Sequence, residues 1–329
     1  MKHGGDLTEA IACRGGELAD WLDLSTGINP WPWTIPHPIP DSAWTRLPSR
    51  AEEDGLLLAA REAYGVPDDT AIAAAAGTQT LIQWIPYLVG PGAVAIVTPT
   101  YGEHSAAWRS GGREIIAVND LSALPERAIH AVAVNPNNPD GRIADGRALR
   151  DVAERLDRRG GWLVIDEAFA DVDPGISAVG MSADLPILVL RSFGKFYGLA
   201  GLRLGFAIGR RDIVERIAAA LGPWPISGPA LHVGRAALRD RSWADAMRAK
   251  LARQSGKLNH VLTEAGFQLI GGTTLFRLAS HPDASSLHAE LARRHIWCRS
   301  FDWAREWLRF GLASDDGLDR LASAFRSIG

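Results

Sequence analysis

The chain is poor in the residues that staple small secreted domains or build metal centres. Two cysteines, Cys13 and Cys298, stand in 329 residues, so neither a disulfide framework nor a cysteine metal site is expected. Charge of one sign is also scarce: the formal net charge is −3, which gives no support for a nucleic-acid or membrane surface as partner. No apolar run is long enough to span a bilayer, and Met1-Lys2-His3-Gly4-Gly5-Asp6 lacks the pattern of a signal peptide. A reducing, cytoplasmic setting is therefore expected. What is present, 47% hydrophobic and 22% charged residues, is ordinary for a globular protein, and the length suffices for roughly two domains.

Residues 1–40 begin with a possible short helix and pass through Asp23-Leu24-Ser25-Thr26-Gly27-Ile28-Asn29-Pro30 into Trp31-Pro32-Trp33 and further prolines. Such proline density removes backbone donors and favours extended chain, so this stretch reads as an arm. Residues 41–222 alternate strand and helix signals. Short apolar runs at Ala71–Ala76, Ala93–Val97, Ile115–Val118, Ala131–Val134, Trp162–Ile165, Ile187–Leu190 and Leu204–Ile208 are separated by helical stretches such as Gln79–Leu88 and Asp145–Arg158. This alternation predicts an α/β domain with a mostly parallel sheet of about seven strands covered by helices. Residues 223–329 lose the rhythm. Helices at Ala230–Arg239, Trp243–Ala265, Ala284–Arg294 and Asp316–Ile328, with short strands at Phe267–Ile270, Thr274–Leu278, Ile296–Arg299 and Trp307–Phe310, predict a smaller α+β domain joined by the N-terminal arm.

The stretch Ser192-Phe193-Gly194-Lys195-Phe196-Tyr197-Gly198-Leu199-Ala200-Gly201-Leu202-Arg203 follows one of the buried runs. A lysine set among apolar and glycine positions loses solvation, which makes its neutral amine more accessible for attack on a carbonyl. Lys195 is the candidate covalent anchor for an aldehyde cofactor. Ser192 and Arg203 supply a hydroxyl and a forked guanidinium, both able to ligate a phosphate. This arrangement resembles the lysine loop of the fold-type I pyridoxal 5′-phosphate (PLP) enzymes, the aspartate-aminotransferase superfamily. The resemblance implies that Lys195 carries the cofactor and that Ser192 and Arg203 hold its phosphate.

Other pieces recur in the family's order. Asp166, ending Val164-Ile165-Asp166, matches the carboxylate that pairs with the pyridine nitrogen; strand-end carboxylates also cap or bind metals, and the metal reading is disfavoured here for want of other ligands at metal spacing. Asn138, in Asn135-Pro136-Asn137-Asn138-Pro139-Asp140-Gly141, matches the residue that bonds the cofactor's ring oxygen, although the string alone is a good turn. Gly77-Thr78-Gln79 lies between a strand and a helix, where backbone N–H groups can receive a phosphate. Tyr101 matches the aromatic that stacks on the pyridine, or is simply packed. Arg309 and Arg299 match arginines that bind substrate anions in the family, the latter in its histidinol-phosphate aminotransferase branch. Nothing in the sequence spaces ligands for a metal.

Within that superfamily the chain is most similar to the threonine-phosphate decarboxylases of cobalamin biosynthesis. His3-Gly4-Gly5, the Asp23–Pro30 segment, and Phe169 where related aminotransferases usually have tyrosine mark this branch. The resemblance implies decarboxylation of L-threonine O-3-phosphate by a homodimer, with His3, Asn29, Arg299 and Arg309 orienting substrate. An aminotransferase of the histidinol-phosphate type is the alternative. A Ser-x-x-Lys hydrolase is disfavoured because Ser-Asp-Asn and Lys-Thr-Gly partners are missing. Two positions depart from the family: Gly194 stands where a second serine or threonine usually touches the phosphate, and Leu47 where a partner-subunit tyrosine commonly does.

Overall fold

The computed structural model describes residues 4–328. Its strands are β1 (Leu22–Leu24), β2 (Ala71–Ala75), β3 (Ala93–Val97), β4 (Ile115–Val118), β5 (Ala128–Val134), β6 (Leu163–Asp166), β7 (Ile187–Ser192), β8 (Gly205–Gly209), β9 (Gln268–Thr273), β10 (Phe276–Ser280), β11 (Ile296–Ser300) and β12 (Trp307–Gly311). The chain forms two compact units. The larger takes residues Pro32–Asn138 and Ile143–Ala244; the smaller takes the described residues up to Trp31, Pro139–Arg142, and those from Asp245 onward.

In the larger unit seven strands lie in the order β2-β8-β7-β6-β5-β3-β4. Strand β8 runs antiparallel to β2 and β7, and the remaining neighbours are parallel. The runs that form β3, β6 and β7 are apolar at nearly every position because both sheet faces are covered, as a parallel sheet requires. Their side chains are almost wholly buried: Ile96, Leu163, Ile187 and Leu190 have no exposed surface. Helix Gly146–Asp157 shows how a cover forms. Asp145 caps it by accepting from the Arg147 and Ala148 N–H groups, and Leu149, Val152, Ala153 and Leu156 make its buried stripe.

Seen from register, Val134 pairs with Asp166, Asp166 with Leu190, Ser192 with Gly205, and Gly205 with Ala75. The carboxyl ends of β2, β5, β6 and β7 therefore lie on one edge of the sheet, the edge at which open α/β sheets receive ligands.

The smaller unit has five strands in the order β1-β11-β12-β10-β9, with only β1 parallel to its neighbour. Its core gathers Leu24, Leu258, Leu262, Phe267, Leu291, Phe310 and Leu321 beneath helices Ala284–Arg293 and Asp315–Ile328. Strand β1 lies in the segment that proline density reads as an arm. Three residues are too few for a periodicity signal, and its partner β11 is far away in sequence.

The sequence reading placed domain divisions at 40 and 222, whereas the units divide at 31 and 244. Helix Gly228–Arg239 packs on Arg50–Tyr64 and Asp41–Thr45, which keeps it with the larger unit. Trp33 is held there too: its N–H donates to the Tyr197 carbonyl and its Nε1 to Asp240. No helix among the described residues is long and apolar enough to cross a membrane. Leu24 is fully buried, so Leu24→Ala is expected to cost about 2–5 kcal/mol of stability, measured by urea unfolding; a loss below about 0.5 kcal/mol would show that β1 is a dispensable appendage.

Candidate active site

Three neighbouring strand ends build the floor of the site. Strand β6 ends at Asp166, which is 3% exposed and places Oδ2 2.9 Å from Nε2 of the equally buried His104. Its other oxygen accepts from the Ala168 N–H at 3.0 Å. A carboxylate can only accept, so Asp166 fixes His104 Nε2 as the donor. The sequence reading missed His104. Its signal was the spacing: it lies three residues beyond Tyr101, one turn into helix Gly102–Ser110, so both face the same way.

Strand β7 ends at Ser192, which begins the one-turn helix Phe193–Phe196 containing the half-buried Lys195. Aromatic rings hold this turn. Tyr197 is stacked on Phe193 at 4.4 Å between centroids and on Trp243 at 5.5 Å, and Phe196 meets Tyr197 edge-on. Beneath it lies a second feature the sequence reading missed. Arg191, 2% exposed, donates from Nη1 to Glu167 at 2.8 Å and from Nη2 to Asp171 at 2.5 Å. Glu167 also accepts from Ser177 Oγ and the Ala178 N–H, each at 2.6 Å. Burial raises the Glu167 pKa, with Arg191 opposing it; burial also works against the Arg191 charge, yet Asp171 and Glu167 hold that guanidinium above its ordinary range. The available signal was a lone arginine in the apolar run Ile187-Leu188-Val189-Leu190-Arg191.

After β5 come the three asparagines. Asn135 accepts from the Ala144 N–H, and Asn137 accepts from Thr100 Oγ1 while donating to the Pro99 carbonyl. Both are buried in tying the turn to its neighbours. Asn138 is the one of the three left partly exposed.

The Arg203 guanidinium lies against the start of helix Thr78–Leu88. Gly77 has φ 82°, and a Cβ added there would come 2.7 Å from Arg203 Nη2. The guanidinium therefore occupies the space a side chain would fill, beside the helix N-terminus, where backbone N–H groups and the dipole also favour negative charge. Arg203 itself adopts a left-handed conformation at φ 53°. Gln79, the second residue of the helix, accepts from the Tyr101 hydroxyl at 3.2 Å. Burial, then the charges of Glu103 and Asp166, push the Tyr101 pKa up to about 12 against the opposing Arg203, so Tyr101 is a neutral phenol at physiological pH.

The two departures have structural accounts. A Cβ on Gly194 would lie 2.7 Å from the Ala200 Cα; the backbone returns so close that the family's usual hydroxyl residue has no room. Leu47 is 68% exposed and lines a cavity with Arg46, Ser49 and Glu52.

Gly77, Thr78, Gln79, Tyr101, Asn138, Asp166, Ser192, Lys195 and Arg203 all belong to the larger unit, at the carboxyl edge of its sheet. Asn29, Arg299 and Arg309 belong to the smaller, and His3 lies outside the described residues. Asn29 is buried and its Oδ1 accepts from the Trp31 N–H. Arg309 on β12 pairs in register with Arg299 on β11 and donates from Nη2 to the Ser25 carbonyl at 2.7 Å. Burial, then the charge of Arg299, lowers the Arg309 pKa to about 10, with Asp23 partly opposing. Both guanidiniums are charged at neutral pH, and two like charges in register suit a doubly anionic ligand. Among the described residues no group of three or more His, Cys, Asp or Glu is placed to hold a metal ion.

The aminotransferase class I and II family model matches residues 57–325. The chain belongs to that family. It is 43% identical over 318 residues to the threonine-phosphate decarboxylase of Pseudomonas aeruginosa, covering 96% of this chain and 94% of the relative. It is 29% identical over 334 residues to the histidinol-phosphate aminotransferase of Microcystis aeruginosa, covering 95% and 93%. Its fold matches the crystal structure of the Sinorhizobium meliloti histidinol-phosphate aminotransferase in complex with pyridoxal-5′-phosphate, with a TM-score of 0.85, 20% identity, and coverage of 98% and 95%.

The family's cofactor PLP fits the residues present. Arg203 and the helix start beside Gly77 would offer its phosphate a cationic receptor, Asp166 would offer its pyridine nitrogen a buried carboxylate, and Lys195 would offer its aldehyde an amine. Because Gly194 has no room for a side chain, Gly194→Ser is expected to displace the loop at Ala200 and weaken PLP binding at least tenfold, equivalent to about 1.4 kcal/mol, read by equilibrium dialysis. Binding at parental strength would refute the steric account.

Proposed function

We propose that this protein is a PLP-dependent carbon–carbon lyase, converting L-threonine O-3-phosphate to (R)-1-aminopropan-2-ol O-phosphate and carbon dioxide in cobalamin biosynthesis. The observation that carries this reading is the identity of 43% over 96% of the chain with a threonine-phosphate decarboxylase, against 29% over 95% with a histidinol-phosphate aminotransferase. The chemistry of the side chains supports it.

PLP, when bound, supplies an electron sink for the pair released as a bond to the substrate Cα breaks. Asp166, oriented by His104, would hold the pyridine nitrogen, Asn138 the ring oxygen, and Tyr101 one ring face. Gly77, Thr78, Ser192 and Arg203 would hold the phosphate. Lys195 has two duties, to hold the aldehyde before substrate arrives and afterwards, as its ammonium, to return a proton to Cα. Which bond breaks is set by which substituent is held for cleavage. A decarboxylase must hold the carboxylate, and Arg309 and Arg299 provide two charges for a substrate with a carboxylate and a phosphate. Asn29 and His3 complete the proposed substrate ligands.

The experiment is to titrate the purified protein with PLP, then add L-threonine O-3-phosphate and measure carbon dioxide. A visible absorbance band that Lys195→Ala abolishes, with carbon dioxide release, is expected. Amino transfer to 2-oxoglutarate without carbon dioxide would establish the aminotransferase instead. Arg309→Ala should raise KM about 10–100-fold, as loss of a charged hydrogen-bond partner implies; unchanged KM and kcat would remove its role.

A cytoplasmic homodimer is part of the same proposal. Trp44 and Leu47 are 65% and 68% exposed in one short segment, a surface that association would cover. Sedimentation showing a fully active monomer would overturn it.

A further inference from the structure

Three polar residues beside the proposed cofactor site form a chain whose direction is fixed. Glu103, half-buried in the first turn of helix Gly102–Ser110, places Oε2 3.1 Å from Gln79 Nε2. Gln79 Oε1 lies 3.2 Å from the Tyr101 hydroxyl oxygen. A carboxylate can only accept, so Glu103 selects the NH2 end of the amide. The amide oxygen is thereby turned toward the phenol, and an amide oxygen also can only accept. The phenol must donate.

We propose that Glu103 is a positioning residue which, acting through Gln79, commits the Tyr101 hydroxyl proton to an internal bond and fixes the ring in one orientation. This inference rests on the reading of Tyr101 as the aromatic against the cofactor. Its consequence is that Tyr101 serves as a neutral platform whose proton is engaged, neither base nor acid, which leaves proton return at Cα to Lys195. Gln79 is also two residues beyond Gly77, so one amide couples the ring platform to the phosphate receptor. The charged groups acting on the phenol are Glu103 and Asp166, which with burial oppose its ionisation, and Arg203, which favours it; the His104 ring stands edge-on to it at 6.2 Å.

A double-mutant cycle tests this. Glu103→Gln removes the group that selects the amide orientation. Gln79→Glu sets two carboxylates against each other. The combined exchange leaves one carboxylate, now at position 79, which accepts both from the new amide at 103 and from the phenol, so the donor role of Tyr101 is restored. Two quantities are read in each variant after its melting temperature shows it folded. The first is the PLP dissociation constant, from quenching of tryptophan fluorescence. The second is the ionisation of Tyr101 without PLP, by carbon-13 NMR of ring-labelled tyrosine, assigned with Tyr101→Phe.

Each single substitution should weaken PLP binding about fivefold, the effect of one hydrogen bond. Glu103→Gln should also lower the pH at which Tyr101 ionises, and the exchange should recover both quantities. An exchange no better than the worse single variant, or a Tyr101 titration that Glu103→Gln does not move, would overturn the proposal. Failure of the parent protein to bind PLP would instead overturn the cofactor reading, and the titration without PLP would still decide the role of Glu103.

Discussion

One buried ion network sets the frame for the site. Arg191 precedes Ser192 at the end of β7, and Glu167 follows Asp166 at the end of β6, so the bond between them ties together the residues flanking both site positions. Taking such charges out of water costs several kcal/mol for each ion, and only good geometry with further hydrogen bonds offsets that cost. Here two carboxylates face the guanidinium, Ser177 and Ala178 add bonds to Glu167, and the Tyr64 ring lies 4.4 Å beneath the guanidinium carbon. The network adds a side-chain tie between β6 and β7 to the hydrogen bonds of the sheet.

Above that floor, apolar and polar contacts divide the work. The Phe193–Tyr197–Trp243 stack holds the turn bearing Lys195. Polar residues with fixed proton direction handle orientation: Asp166 on His104, and Glu103 through Gln79 on Tyr101. In the smaller unit the logic is opposite. Arg299 and Arg309 sit in register with like charge, a placement that burial makes unfavourable by itself and that an anionic ligand would relieve. Tension of that sort is common where proteins bind charged substrates.

Much of this was legible in the chain. All seven strands of the larger sheet coincide with short apolar runs, because strands covered on both faces are apolar at most positions. The lysine stretch was legible because a lysine among glycine and aromatic residues conflicts with ordinary burial rules. Strand β1 was not, since nothing within Leu22–Leu24 announces a partner as distant as Ile296–Cys298. His104 was passed over for a similar reason: a histidine on a helix is common, and only the 2.9 Å approach to Asp166 gives it meaning.

What the sequence determined by itself was the order of strands and helices, the family, and the residue types able to hold an aldehyde, a phosphate and a pyridine nitrogen. The strands and helices follow from local periodicity, and the family and those residue types from the resemblance carried by short motifs; both are read from neighbours along the chain. The tertiary structure alone decided which charges are buried together and which way their protons point. It showed that Gly194 faces the Ala200 backbone, that Arg203 fills the space over Gly77, and that Arg191 joins two strands. The last two are contacts between segments far apart in sequence, and such pairings leave no periodic trace in either segment taken alone.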